Sequence, residues 1–236
     1  MADPWLLAAP GDLRAGATVE LDTIEAHHVT AVLRLRSGTR IVLADGQGAT
    51  AGAVLRVSGR GRCTAEVEFV ETAPHAAQSG VDVALAVLHG RTMDWAVQKS
   101  VEVGVRCLLP LLATRSQLPR AAAERRLAHW RGAARQAIKQ CHRPLGMIVA
   151  DPVTLPELVE RRAGSGGLVA DPAGIHPRSL PPDGPRLLVV GPEGGLTTDE
   201  QRLLDPAQWP RVWLGPHVLR AETAAIAGAS LLMVMG

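Results

Sequence analysis

From residue 81 onward, short runs of unbroken apolar residues alternate with stretches whose apolar residues recur every three or four positions. The runs are "VDVALAVL" (81–88), "VRCLLPLL" (105–112), "GMIVA" (146–150), "GLVA" (167–170), "RLLVV" (186–190) and "RVWL" (211–214). A strand without polar alternation is buried on both faces, so these runs predict a parallel sheet covered by helices. Between the first two, "TMDWAVQKSVEVG" (92–104) places Met93, Ala96, Val97 and Val101 on one helical face and stops at Gly104. "AAAERRLAHWRGAARQAIKQCHR" (121–143) predicts one long helix with Leu127, Trp130, Ala134, Ile138 and Cys141 on one face. "AETAAIAGASLLMVM" (221–235) predicts a closing helix rich in small residues, which lets neighbouring backbone pack close.

The first 72 residues have a different texture. "GATVEL" (16–21) reads as a strand, and "DTIEAHHVTAVLRLR" (22–36) as a helix. Asp22 or Thr23 caps that helix, and Ile24, His28, Val32 and Leu35 share a face. "TRIVLADGQGATAGAVLRV" (39–57) predicts a hairpin turning at Asp45-Gly46, and "CTAEVEFV" (63–70) predicts a strand closing a small β domain. "ETAPHAAQSG" (71–80) has the composition of a linker. The expected organisation is therefore an α/β chain with a small β domain over residues 1–74 and a parallel-sheet domain over 75–236.

Charge refines this picture. The net charge is only +2, yet residues 115–143 hold eight Lys and Arg against the single acid Glu124. Arg131, Arg135, Lys139 and His142 follow one another by about a turn, which predicts a phosphate-contacting stripe on one anionic partner. Three widely spaced cysteines form no CxxC pair, and His27-His28 has no further ligands at useful spacing, so neither a disulfide framework nor a metal site is expected. The N-terminal run follows an acid and is short, and the final apolar run is too short to span a bilayer; a soluble cytoplasmic protein is expected. Trp95 and Trp130 read as core or interface anchors. With no Tyr and one Phe, RNA stacking platforms are scarce, so phosphate contacts should dominate any RNA binding.

Two glycine-proline turns remain, "GPEGGLTTDE" (191–200) and "LGPHVLRAETA" (214–224), each at the end of an apolar run. Ligands of open parallel sheets bind outside the carboxyl ends of the strands, where both turns fall. Thr197 and Glu200 form a T-x-x-E capping box that starts the next helix. No G-x-x-x-x-G-K-[ST] and no G-x-G-x-x-G is present, which argues against a P-loop enzyme and a nicotinamide-dependent one.

These two turns, together with "HHVTAVLRLRSGTRIVLADG" (27–46), "MDWAVQKSVEVGV" (93–105) and "RLAHWRGAARQAIKQC" (126–141), resemble the RsmE family, bacterial 16S rRNA uridine-N3 methyltransferases of the SPOUT class. The resemblance covers nearly the whole chain. It implies a PUA-like RNA-binding β-barrel followed by a trefoil-knotted domain, a homodimer without metal or membrane attachment, and S-adenosyl-L-methionine as cofactor. By the same resemblance the cofactor lies against Leu168, Ala170, Gly191, Glu193, Gly194, Gly195, Leu196, Leu214, Gly215, Val218, Leu219 and Thr223. Arg220 is the candidate for stabilising charge on the uracil carbonyls, with Glu193 or Glu222 to accept the proton or to orient Arg220. The candidates for rRNA contact within the small ribosomal subunit are Arg34, Arg36, Arg115, Arg131, Arg135, Lys139 and Arg143. The chain departs from the family pattern at Lys139 and His142, at "LHGRTM" (88–93) and at "VADPAG" (169–174), which bears on target recognition. A ribose 2′-O-methyltransferase of the same class and a non-catalytic PUA-like RNA-binding protein are the competing readings.

Overall fold

The structure is a computed structural model and describes residues 3–58, 61–72, 80–181, 186–204 and 208–235. Most of the expected linker, 73–79, lies outside them, and with it the expected domain boundary. The chain divides into two units. One comprises Met1–Ala77 with Arg135–Gly146, the other Gln78–Ala134 with Met147–Gly236.

The first unit is built on a five-stranded sheet of β1 (Trp5–Leu7), β2 (Thr18–Glu20), β3 (Arg40–Ala44), β4 (Ala49–Val57) and β5 (Cys63–Thr72), in the order β1-β3-β4-β5-β2. β3, β4 and β5 run antiparallel, as alternation and the Asp45-Gly46 turn predict. Asp45 Oδ1 accepts from the backbone N–H of Gln47 and Ala49, while Gly46 and Gly48 take φ of +71° and +108°, which only glycine adopts readily. Inward residues of alternate positions, among them Leu6, Ile41, Leu43, Leu55 and Ala65, form the core. The parallel pairing of β1 with β3 was not anticipated, because three residues are too few to show a period.

The expected helix over 22–36 is shorter. α1 (Thr23–His27), capped by Asp22, runs into one π-helical turn at His28–Val32, and Arg34 then takes φ +53°. Ile24 and Val32, expected to share a face with His28 and Leu35, are 64% and 59% exposed, and Glu25, Ala26 and Val29 are buried. The cause is Glu25, which points into the unit to accept from Leu7 N–H at 3.2 Å and from Lys139 Nζ at 2.8 Å. A side chain 114 positions away thus sets which face turns inward.

The second unit holds β6 (Asp82–Ala86), β7 (Cys107–Leu112), β8 (Ile148–Val149), β9 (Val153–Thr154), β10 (Leu168–Ile175), β11 (Leu187–Val190) and β12 (Arg211–Val212). They form one sheet in the order β12-β10-β11-β6-β7-β8, with β9 also on β7, and every pair is parallel. All six apolar runs lie at these strands. The helices are α2 (Gly90–Glu102), α3 (Arg120–Cys141), whose residues from Arg135 onward belong to the first unit, α4 (Leu155–Arg161), α5 (Thr198–Leu203) and α6 (Ala221–Val234). α2 buries Met93, Ala96, Val97 and Val101, and Gly104 ends the turn after it at φ +94°. Trp130 is buried as expected, but Trp95 is 42% exposed. At the amino end of β6, buried Asp82 accepts through Oδ2 from both Arg106 and Arg162. Its cross-strand partner Cys107 is half-buried, and burial, helped by the Asp82 charge, pushes that thiol up to about 11.

α6 is apolar nearly all round, packs on α2, β6 and β11, and buries Ala221, Ala224, Ala225, Gly228, Ala229 and Leu232. A Cβ at Gly228 would overlap Leu188 Cδ2 and lie 3.2 Å from Leu214. The small residues are what allow this close approach. Among the described residues no helix is long and apolar enough to cross a membrane.

Candidate active site

Three strand ends in the second unit converge on one cleft of about 300 Å³. β10 supplies the first wall. Ala170 and Ile175 both pair with Val212, so residues 171–174 loop out of register and carry Asp171 and Pro172 to the cleft. The turn after β11 supplies the second wall with Gly191, Pro192, Glu193, Gly195 and Leu196. The turn after β12 supplies the third with Leu214, Gly215, His217, Val218 and Leu219, and Ala221 and Ala224 of α6 close the floor.

The three glycines after β11 each have a reason. A Cβ at Gly191 would stand 3.3 Å from Leu196 Cγ and narrow the cleft. Gly195 sits at φ +69°, inside a turn closed by its N–H to Pro192 C=O at 2.8 Å. At Gly194 a Cβ would meet Arg115 Cδ at 3.2 Å, because Arg115 lies across the turn and donates to Gly194 C=O.

The capping box predicted at Thr197 and Glu200 is present at the start of α5. Glu200 does more than cap. Its Oε2 accepts from Thr197 N–H and hydroxyl at 2.8 and 3.0 Å, and its Oε1 accepts from Thr114 N–H and hydroxyl at 2.7 and 3.1 Å. Burial works to raise this carboxyl, but the bonds from Thr114 and Thr197 outweigh it and hold Glu200 below the usual carboxylate value. Arg211 donates to Asp171 Oδ2 at 2.6 Å and to Gln201 Oε1 at 3.3 Å, and all three residues line the cleft.

Of the cofactor candidates, Ala170, Gly191, Glu193, Gly195, Leu196, Leu214, Gly215, Val218 and Leu219 line the cleft. Leu168 does not; it is 1% exposed, at the start of β10 and paired with Leu188. Gly194 is exposed under Arg115, and Thr223 is exposed on the first turn of α6. Arg220 is the exposed N-cap residue of α6 and Glu222 lies half-buried in its first turn, beside the cleft rather than in its wall. Asp171, Gln201, Trp209, Arg211 and His217 were missed. The bulge that delivers Asp171 has one trace in the sequence, the Asp-Pro that interrupts an apolar strand.

The basic candidates separate into several kinds. Lys139 is not a free surface cation; its side chain is 9% exposed and is bound to Glu25, itself 1% exposed. Arg131 donates to Val149 C=O and Asp151, each at 3.0 Å, and Arg135 stands 3.9 Å from Asp22. Arg143 is half-buried, and burial lowers its pKa. Arg115 is bound to Gly194. Arg34 and Arg36 are exposed with no ion pair among the described residues, and so are Arg125 and Arg126 on α3.

A largely apolar cleft at the carboxyl ends of a parallel sheet, with glycines where a ligand needs close backbone approach, defines a small-molecule-binding α/β domain, here following a small β unit. The RNA methyltransferase domain family matches residues 75–233, and the RNA methyltransferase PUA domain matches 21–68. The curated relative "Ribosomal RNA small subunit methyltransferase E" of Mycobacterium bovis is 33% identical over 226 residues, covering 89% of this chain and 84% of its own. The protein of the same name from Bacillus subtilis is 27% identical, covering 88% and 86%. A solved structure of that methyltransferase from Neisseria gonorrhoeae, bound to S-adenosyl methionine, has a TM-score of 0.87 at 27% identity and covers 99% and 98% of the two chains. A Legionella pneumophila structure with the bound cofactor SAM gives 0.90 at 28% identity, with the same coverage. The chain belongs to the ribosomal RNA small subunit methyltransferase E family.

Proposed function

We propose that this chain transfers a methyl group from S-adenosyl-L-methionine to N3 of a uridine in 16S rRNA. The observation that carries the reading is the cleft itself, three strand ends walled by Gly191, Gly195 and Gly215 and lined by Leu196, Leu214, Val218 and Leu219. Its dimensions suit a nucleoside-sized ligand, and its backbone groups can read an adenine edge while the leucines cover the ring. The cofactor brings an electrophilic methyl on a sulfonium, so the protein's part is to position the uracil and manage charge and proton.

Uracil N3 carries a proton at neutral pH, and that proton must leave as the nitrogen attacks. Glu193, on the cleft wall, is the acceptor the geometry favours. Arg220 stabilises the negative charge that develops on the uracil carbonyls. Arg34, Arg36, Arg125, Arg126 and Arg135 make the phosphate contacts, residues 1–74 serving as the RNA-binding domain and 75–236 as the knotted transferase domain. A homodimer in the cytoplasm, acting on the small ribosomal subunit, completes the proposal. An apolar α6 whose Val234 is 88% exposed supports the dimer.

Nucleoside mass spectrometry of 16S rRNA from cells with and without the protein tests the reaction. N3-methyluridine should vanish without it and return with the wild type but not with Arg220→Ala. A ribose-methylated nucleoside lost in its place would establish the competing 2′-O activity.

A further inference from the structure

The carboxyl end of the sheet is wired together by a turn that does not itself line the cleft. Residues 113–117 follow β7. Ser116 Oγ accepts from Ala113 N–H at 2.9 Å and donates to Leu111 C=O at 3.1 Å, which fixes the turn on its own strand. Gln117 N–H donates to Val87 C=O at 3.2 Å, and Gln117 Oε1 accepts from His89 N–H at 2.6 Å, which ties the turn to the end of β6. Thr114 and Arg115 reach the other way, to Glu200 and to Gly194 C=O.

We infer that Glu200 is a positioning residue, a strut that clamps the 191–197 wall of the cleft to the 113–117 turn and so sets cofactor affinity without touching the cofactor. Each Glu200 oxygen serves one loop, and both oxygens take two donors. A helix cap needs only the Thr197 half. The Thr114 half, 86 positions away, adds nothing to α5 and acts only on the relation between the two loops. Arg115 reinforces it from the outer side, lying over Gly194 where a Cβ would press on it at 3.2 Å. The apolar walls of the cleft are contributed by loops, which drift unless tied to rigid elements.

The inference rests on the cofactor reading above, and the experiment keeps the two apart. S-adenosyl-L-methionine binding is measured by calorimetry for wild type, Glu200→Gln and Thr114→Val, with melting temperature and amide hydrogen exchange on each protein without ligand. Glu200→Gln turns an N–H₂ toward one pair of donors; Thr114→Val removes one hydroxyl bond at an exposed residue and leaves the cap intact. Loss of charge-assisted bonds should raise the Kd about tenfold in Glu200→Gln and about threefold in Thr114→Val. Exchange should quicken in 191–197, and kcat at saturating cofactor should change less than Kd. Wild-type binding with both variants within twofold and unchanged exchange overturns the strut. A wild type that fails to bind the cofactor overturns the functional reading instead, and the exchange rates still decide the strut. Should Glu200→Gln not fold, Thr114→Val carries both measurements.

Discussion

Lys139 Nζ lies 2.8 Å from Glu25 Oε1 inside the first unit, with the two side chains 9% and 1% exposed. A buried pair is a poor source of net stability, but removing one partner strands the other charge. Lys139→Met should therefore cost about 3–5 kcal/mol, and the double change with Glu25→Leu should recover only part of it, because the buried Leu7 N–H then loses its acceptor. Equilibrium unfolding in urea of the two single variants and the double variant checks this.

The same contact makes a second prediction about RNA. A cation neutralised by a buried carboxylate displaces no counterions from a phosphate backbone. Arg36→Ala, and Arg34→Gly at its positive φ, should each lower the salt dependence of rRNA binding by about 0.7–0.9 in slope. Lys139→Met should leave the slope unchanged at temperatures where it is folded. Filter binding across a salt series separates the two kinds of residue.

Gly228 reverses an ordinary rule. Alanine usually stabilises a helix interior by about 1 kcal/mol over glycine. Here a Cβ would overlap Leu188 and press on Leu214, a wall of the cleft. Gly228→Ala should destabilise by about 1–3 kcal/mol and weaken cofactor binding as well, seen by thermal unfolding and calorimetry.

Cys107, held at about 11 by burial and Asp82, stays a thiol at neutral pH. At pH 8 it should react with iodoacetamide roughly 100-fold more slowly than a thiol at its ordinary value, by mass-spectrometric labelling. A raised folded pKa contributes stability that is fully present below the ordinary value of 9.0 and is lost as pH rises through about 11. Cys107→Ala should remove that loss from the alkaline unfolding curve.

The parallel sheet was legible because its strands announce themselves locally. "VDVALAVL" has no polar residue after Asp82 and admits no half-exposed strand. The glycine turns were legible for a similar reason, since their position at strand ends already implies a ligand site. The first-unit helix was not legible. Its inward face is decided by Glu25, which is buried because Lys139 meets it, and periodicity read the polar residue as outward. Lys139 was misassigned by the mirror image of the same error, as a cation in a basic stretch with its acid out of sight. Asp171 was missed because a register shift, not a period, brings it to the cleft.

The first unit takes its last piece, Arg135–Gly146, from far along the chain. Gly46 C=O accepts from Gly146 N–H at 2.8 Å, and Glu25 waits for Lys139. During synthesis at about 5–20 residues per second, the first 77 residues emerge on the order of 3–12 s before residue 135 does. For that interval Glu25 has no cation to meet and Gly46 C=O lacks its Gly146 donor. The amino-terminal domain comes first in translation yet is completed only after much of its neighbour has been made.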